Sequence, residues 1–204
     1  FQFAKAAIEN DMKFFTRSLV VIFAFLFLFP VLVEANDLEA ALSSETAQFT
    51  FSSDSSLIGW GGAELGVGIF YNDADDFVGQ FSLMQRRQAS KNTPLTLGVG
   101  IKAYAGMLDA VEQDIFAIAV GGEARYTIPG VMPMSIYFTA HYAPKITSFS
   151  DSEEIIDTNL GFQIEVLPQT VAFIGLRNFK LDVNNGQQYD MDDDRLHIGV
   201  RLTF

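Results

Sequence analysis

The chain has 204 residues, 25 acidic side chains against 13 basic ones, and a formal net charge of −12 at pH 7. Such acidity excludes a nucleic-acid binder, whose phosphate partners demand cations. There is no cysteine, which excludes a disulfide framework and any thiolate metal site.

Residue 1 is Phe, and Met12 reads as the natural start, leaving residues 1–11 as an upstream extension. From Met12 the sequence has a basic head (Lys13, Arg17) and an apolar run from Leu19 to Val33. It ends in the small-residue pattern Val33-Glu34-Ala35. This predicts a secretory signal peptide over 12–35, cleaved after Ala35. The rival is a membrane anchor, but the run is short for a span of roughly 20 apolar residues, and Pro30 interrupts it. Removing residues 1–35 takes three bases and three acids and leaves the charge at −12.

Residues 36–58 read as an N-terminal lead-in, periplasmic or packed in a lumen. Within it "ETAQFTFSSDSS" (45–56) alternates. A ninth strand there would put the chain termini on opposite sides of a barrel, so the alternative is ten strands. From residue 59 onwards no apolar run is long enough for a transmembrane helix. Period-two alternation recurs instead, in eight segments: 62–71, 77–86, 95–105, 115–126, 134–143, 157–166, 171–181 and 194–204. Segments of about ten residues divided by turn residues are the pattern of an outer-membrane barrel. Ten residues at about 3.3 Å each, tilted about 45°, rise roughly 23 Å, close to the roughly 25 Å apolar band of such barrels. The fold class expected over 59–204 is therefore all-β, an antiparallel transmembrane β-barrel of eight strands.

In segment 95–105, Leu95, Leu97, Val99 and Ile101 share one face, and Thr96, Gly98, Gly100, Lys102 and Tyr104 the other. Segment 171–181 fits least well: one parity puts Arg177 on the apolar side and the other Lys180. Lys180 near a strand end can snorkel, so Arg177 is assigned to the inside.

Three features favour an apolar exterior over the buried apolar face of a lipocalin. Charges sit in mid-strand on the polar faces. Aromatics gather on the apolar face at strand ends (Tyr71, Phe77, Phe116, Tyr126, Tyr142 and Phe204), as membrane girdles do. The connections also alternate in kind. "NDADD" (72–76), "GMLDAVEQD" (106–114), "PKITSFSDSEE" (144–154) and "DVNNGQQYDMDD" (182–193) are acidic, while "RQASKNTP" (87–94), "TIPGVMP" (127–133) and "PQT" (168–170) carry no acid. With an even strand count both termini and the acid-free connections share the periplasmic side, and the acidic loops face outward.

The last segment, "RLHIGVRLTF" (195–204), fixes its own parity. Arg195 and Arg201 facing lipid would cost about 2–4 kcal/mol each at midplane, falling towards the interfaces. They and His197 therefore point inward, and Phe204 lies at the periplasmic interface. The expected lumen charges are Glu64, Arg86, Lys102, Glu123, Arg125, Asp157, Glu165, Arg177, Arg195 and Arg201.

A final strand ending in Phe with alternate apolar residues resembles the assembly signal of bacterial outer-membrane barrels. More narrowly, "LGVGIKAY" (97–104), "DIFAIAVGGEARYTI" (114–128), "YFTAHYAP" (137–144), "TNLGFQIEVL" (158–167) and "RLHIGVRLTF" resemble the YfaZ family of outer-membrane proteins, over most of 95–204. The resemblance implies a Gram-negative outer-membrane location and carries over no activity and no catalytic residue.

For chemistry, mixed charges in so narrow a barrel read first as salt-bridged filling, and second as a narrow ion path. Asp190, Asp192, Asp193 and Asp194 gather oxygen ligands suited to a hard divalent cation bridging to lipopolysaccharide, although the spacing is not that of an EF-hand, and solvated, self-repelling loops are the simpler account. Ser135 lies six residues from His141, roughly 20 Å along a strand, too far for a nucleophile and its base. No cofactor motif occurs. The expected protein is a monomeric outer-membrane barrel of structural or interaction role and no catalysis. Its partners are outer-membrane lipids and lipopolysaccharide, and the barrel-assembly machinery through the last strand. The alternatives are a narrow channel, a lipid-modifying barrel enzyme and a periplasmic lipocalin-like carrier.

Overall fold

The computed structural model of the protein describes residues 36–54, 62–91, 93–183, 187–192 and 196–204. The signal peptide (12–35) and the upstream extension (1–11) lie outside the described residues, as do Asp193, Asp194 and Arg195.

In chain order the strands are β1 (Asp37–Leu42), β2 (Thr46–Asp54), β3 (Ala63–Asn72), β4 (Phe77–Gln88), β5 (Leu95–Leu108), β6 (Gln113–Ile128), β7 (Met134–Ala143), β8 (Ser148–Ser150), β9 (Ser152–Leu167), β10 (Thr170–Val183), β11 (Gln187–Asp190) and β12 (Leu196–Thr203). Among the described residues, ten of these form one antiparallel wall in which each long strand pairs with its neighbours in sequence. The two short strands are appendages, β8 on β6 and β11 on β10. The wall closes where β12 pairs with β1, from Asp37 opposite Thr203 to Leu42 opposite Ile198. Asn36 and Phe204 exchange two further backbone hydrogen bonds, of 3.0 and 2.9 Å.

The barrel thus has ten strands, and eight is corrected. Residues 37–54, read as part of a lead-in, are β1 and β2. Their place in the wall follows from hydrogen bonding: β1 stands between β2 and β12, and without the pair the edges of β3 and β12 would be left bare.

Alternation sorts the side chains. Outward on β5 and β12 lie Leu97, Val99, Ile101, Ile198 and Val200, all exposed. Inward lie Lys102, Glu123, Asp157, Arg177 and Arg201, all with side chains no more than 19 % exposed. Among the expected girdle residues, Tyr71, Phe77, Phe116 and Tyr142 are exposed on the outside near the far end of the barrel. Tyr126 and Phe204 are exposed near the end that carries the termini.

The connections sort by charge as well. Glu45, Asp73, Asp75, Asp109, Glu112 and Asp151 all belong to far-end connections, whereas 89–94, 129–133 and 168–169 at the terminal end carry no acid. The tightest of the latter turns on Pro168-Gln169. Proline presets the first turn position, and Gln169 takes the left-handed conformation (φ 66°) that the second requires.

Candidate functional site

The interior has two storeys. The lower one, towards the termini, is a polar cavity of about 190 Å³ lined by five acids and five bases. That volume is below the roughly 300–1,000 Å³ of typical small-molecule pockets; it suits water and small ions.

Its charges are paired across strands. At the terminal end, Arg201 on β12 donates to Glu39 on β1 from Nε (2.9 Å) and Nη2 (2.7 Å), the two residues being directly opposite in register. Thr203 donates to Asp37 beside them (2.5 Å). Higher up, Glu123 on β6 is held by Arg86 of β4 and Arg125 of its own strand, at 2.8 Å each, and Arg86 also reaches Glu64 on β3. Above these, Asp157 on β9 accepts from Lys102 Nζ (2.8 Å) and Tyr104 Oη (2.7 Å) of β5. Removing one partner of so buried a pair leaves an uncompensated charge.

The upper storey is apolar. Phe70, Val78, Tyr104, Leu108, Ile115, Ile155, Phe179, Leu181 and Val183 point inward from six strands and are 0–3 % exposed. Rings from opposite walls meet: Phe179 of β10 packs on Phe70 of β3 (centroids 5.6 Å apart, edge-on) and on Tyr104 of β5 (5.4 Å). Met191, from the connection after β11, completes the filling. The plug shares the height of the far-end aromatics, since Phe116 lies between the inward Ile115 and Ala117, and Tyr71 follows Phe70. The lower charges are more open: the side chains of Glu64 and Arg86 are 34 % and 29 % exposed, against 5 % for Arg177 and 0 % for Asp192. The lumen is therefore a cup with a polar throat and an apolar floor.

No protein-family model and no curated protein matches the chain. Solved structures similar to the chain include an outer-membrane channel and a porin. The first is the outer membrane channel DcaP of Acinetobacter baumannii, at 10 % identity and a TM-score of 0.40, covering 85 % of this chain and 60 % of that one. The second is the KdgM porin, at 9 % identity and a TM-score of 0.42, covering 84 % of this chain and 99 % of that one. The chain spans about three-fifths of the length of DcaP.

Of the lumen charges expected from sequence, Glu64, Arg86, Lys102, Glu123, Arg125, Asp157, Arg177 and Arg201 line the polar cavity. Glu165 is half-buried on the inner face of β9, off the cavity, and Arg195 lies outside the described residues. Sequence reasoning missed Asp37 and Glu39. The signal was present in "DLEAAL", where Leu38, Ala40 and Leu42 alternate with Asp37, Glu39 and Ala41.

Asp192 is a correction: it does not face solvent as a cation ligand would. It is fully buried, and its Oδ2 accepts from Arg177 Nε at 2.7 Å. Asp190 pairs in register with Lys180, and among the described residues no cluster of three metal-ligating side chains occurs.

Both histidines share a packing device. His141 lies against the cross-strand Gly121 and His197 against the cross-strand Gly175. Tyr137 over Gly161 and Phe173 over Gly199 repeat the arrangement. His141 Nε2 makes no hydrogen bond. Ser135 shares its hydrogen bond with Thr127 (3.0 Å). Ser135 and His141 therefore make no nucleophile–base hydrogen bond with each other.

Proposed function

We propose that this chain is a monomeric outer-membrane β-barrel of the YfaZ type with a sealed lumen, acting by structure or interaction and not by permeation or catalysis. The observation that carries the reading is the pair of inversions along one molecule: apolar side chains ring the outside at mid-height with charges within, and the far end is blocked by apolar side chains. The first arrangement suits hydrocarbon and would be costly in water. A lipocalin-like carrier would need the reverse, with the apolar face lining a cavity. The second removes the continuous polar path that conduction requires.

Orientation follows from the acid-free connections and the termini, which belong at the periplasmic side. The acidic connections then face outward, towards solvent and the cation-bridged lipopolysaccharide surface. Phe204 is offered to the barrel-assembly machinery.

Fractionation with and without Phe204 tests location. The expected outcome is an outer-membrane protein with heat-modifiable migration, lost from the membrane fraction on deleting Phe204; a protein soluble in the periplasm in both forms would end the reading. Purified protein in planar bilayers is expected to give no stepwise conductance. Steady open steps would replace the sealed barrel with the narrow channel.

A further inference from the structure

The apolar exterior does not end at one level around the barrel. On the side of β6, β7 and β9 it runs past the terminal-end girdle. Ile128 on β6 and Met134 on β7, opposite each other in register, lie beyond Tyr126 and are both exposed. Two further residues of a strand tilted about 45° add roughly 5 Å. Val166 and Leu167 at the end of β9 are exposed as well. The β6–β7 turn carries the pattern further: Val131 is fully exposed at its tip and Met132 is exposed beside it, between Pro129 and Pro133. The two prolines fix φ on either side of that tip. Towards the far end the outward face of β9 turns polar, at Thr158 and at Glu154, which accepts from Tyr142 (3.1 Å).

Strand β4, four places away in the ten-strand wall, is displaced the other way. Its outward face is apolar towards the far end, at Phe77, Phe81 and Leu83, and polar at the terminal end. There Gln85 stands opposite Val99 and Arg87 opposite Leu97. Gln85, Arg87 and, in the connection that follows, Lys91 are exposed.

Resting on the reading of a membrane barrel, we propose that the lipid-facing belt is oblique to the barrel axis. The protein stands tilted, with the β6–β7 turn as an apolar foot sunk among the lipids of the terminal-end leaflet. Arg87 and Lys91, on the raised side, are set against anionic phospholipid headgroups. An upright barrel would leave Val131 and Leu167 in water or draw Arg87 towards hydrocarbon, where a cation is costly; the tilt avoids both. Continuity makes lipid the occupant of the foot. It extends the face already turned to hydrocarbon, and only Pro129, Gly130 and Pro133 intervene between Ile128, the tip and Met134. A stable protein partner would need roughly 800 Å² on each side, of which two tip side chains supply a small part. Charge agrees on the raised side, because cations beside an anionic membrane surface are attracted to it, and the connections at this end carry no acid.

The test uses the absence of native cysteine. Val131→Cys and Ser90→Cys, each carrying a small fluorophore, are reconstituted in vesicles of phosphatidylcholine and phosphatidylglycerol. Quenching is measured with iodide on both sides of the bilayer and, separately, with brominated lipid. Both positions are exposed, so neither change removes a packed side chain, and heat-modifiable migration checks folding. Iodide is expected to quench the label at position 131 at least about fivefold less than the label at position 90, and brominated lipid to show the reverse order. Equal access of iodide to the two overturns the foot. At one protein copy per vesicle the shielding at position 131 is expected to persist; shielding that needs crowding marks contact between copies and overturns lipid as the occupant.

The raised side is tested by native mass spectrometry from mixed micelles. Arg87→Gln with Lys91→Gln is expected to retain at least about threefold less phosphatidylglycerol than wild type, and unchanged retention overturns the headgroup contact. An inserted, heat-modifiable barrel with a water-exposed foot overturns the tilt and leaves the membrane barrel intact. A chain that stays outside the bilayer and shows no heat-modifiable migration overturns both.

Discussion

Glycine at 161 illustrates how single residues set this barrel. A Cβ there would lie 2.4 Å from Cζ and Oη of Tyr137, the residue directly opposite on β7. The phenol ring occupies the space that a side chain would fill, which is the rescue of a strand glycine by a cross-strand aromatic. Gly161→Ala should therefore destabilise by about 1–3 kcal/mol through overpacking, measured by urea unfolding in lipid vesicles. Tyr137→Phe/Gly161→Ala should recover little, because the ring itself is the obstacle, and Tyr137→Ala/Gly161→Ala should recover more. Lys102 makes a second residue-scale case. With its side chain 15 % exposed and Asp157 at 8 %, Lys102→Met strands a buried carboxylate, and a loss of about 3–5 kcal/mol is expected in the same assay. The double variant Lys102→Met/Asp157→Leu should lose less than Lys102→Met alone. The inward parity of these positions could be read from alternation. Which residue meets which could not, because cross-strand partners depend on register.

At the scale of elements, β1, β2 and β10 were the hard ones, for different reasons. β1 has six residues, and its outward face is only Leu38, Ala40 and Leu42, a pattern too short and too alanine-rich to stand out. β2 presents Phe49 and Phe51 outward, but Ala47 and Ser53 dilute them. β10 crosses from the polar cup into the apolar plug. Its inward residues run Val171, Phe173, Gly175, Arg177, Phe179, Leu181 and Val183, while its upper outward face is Asn178, Lys180 and Asp182. One rule of alternation cannot describe a strand whose polarity reverses halfway, and that is why Arg177 and Lys180 conflicted in the sequence. Phe49→Arg measures whether β2 spans. On a lipid-facing strand it should cost about 2–4 kcal/mol near midplane, read as lowered barrel stability and yield. No effect would return residues 36–58 to the status of a lead-in.

For the whole molecule, the connections were the most legible feature. Acid on alternate loops gathers at one end for any even strand count, so that division survives the change from eight strands to ten. The plug was not legible, because an inward Phe or Leu looks the same in sequence as an error of parity. A cup closed at one end makes a directional prediction. With no native cysteine, Thr50→Cys, which lines the cavity, should react with a small charged thiol reagent supplied at the terminal end. Ala117→Cys, at a fully buried position in the plug, should stay unreactive from either end. Equal labelling of the two would mean that the floor is not there.

The junction of β1 with β12 also dictates the order of assembly. Glu39 and Arg201 are 162 positions apart along the chain, so the final zipper joins the most distant partners and bears the largest loop-closure entropy. Until it forms, two bare edges persist, and no partial barrel is a resting state in hydrocarbon. For the membrane barrel proposed above, insertion should therefore be slow and all-or-none, and nascent chains arrested before residue 196 should accumulate outside the bilayer as substrates for proteolysis.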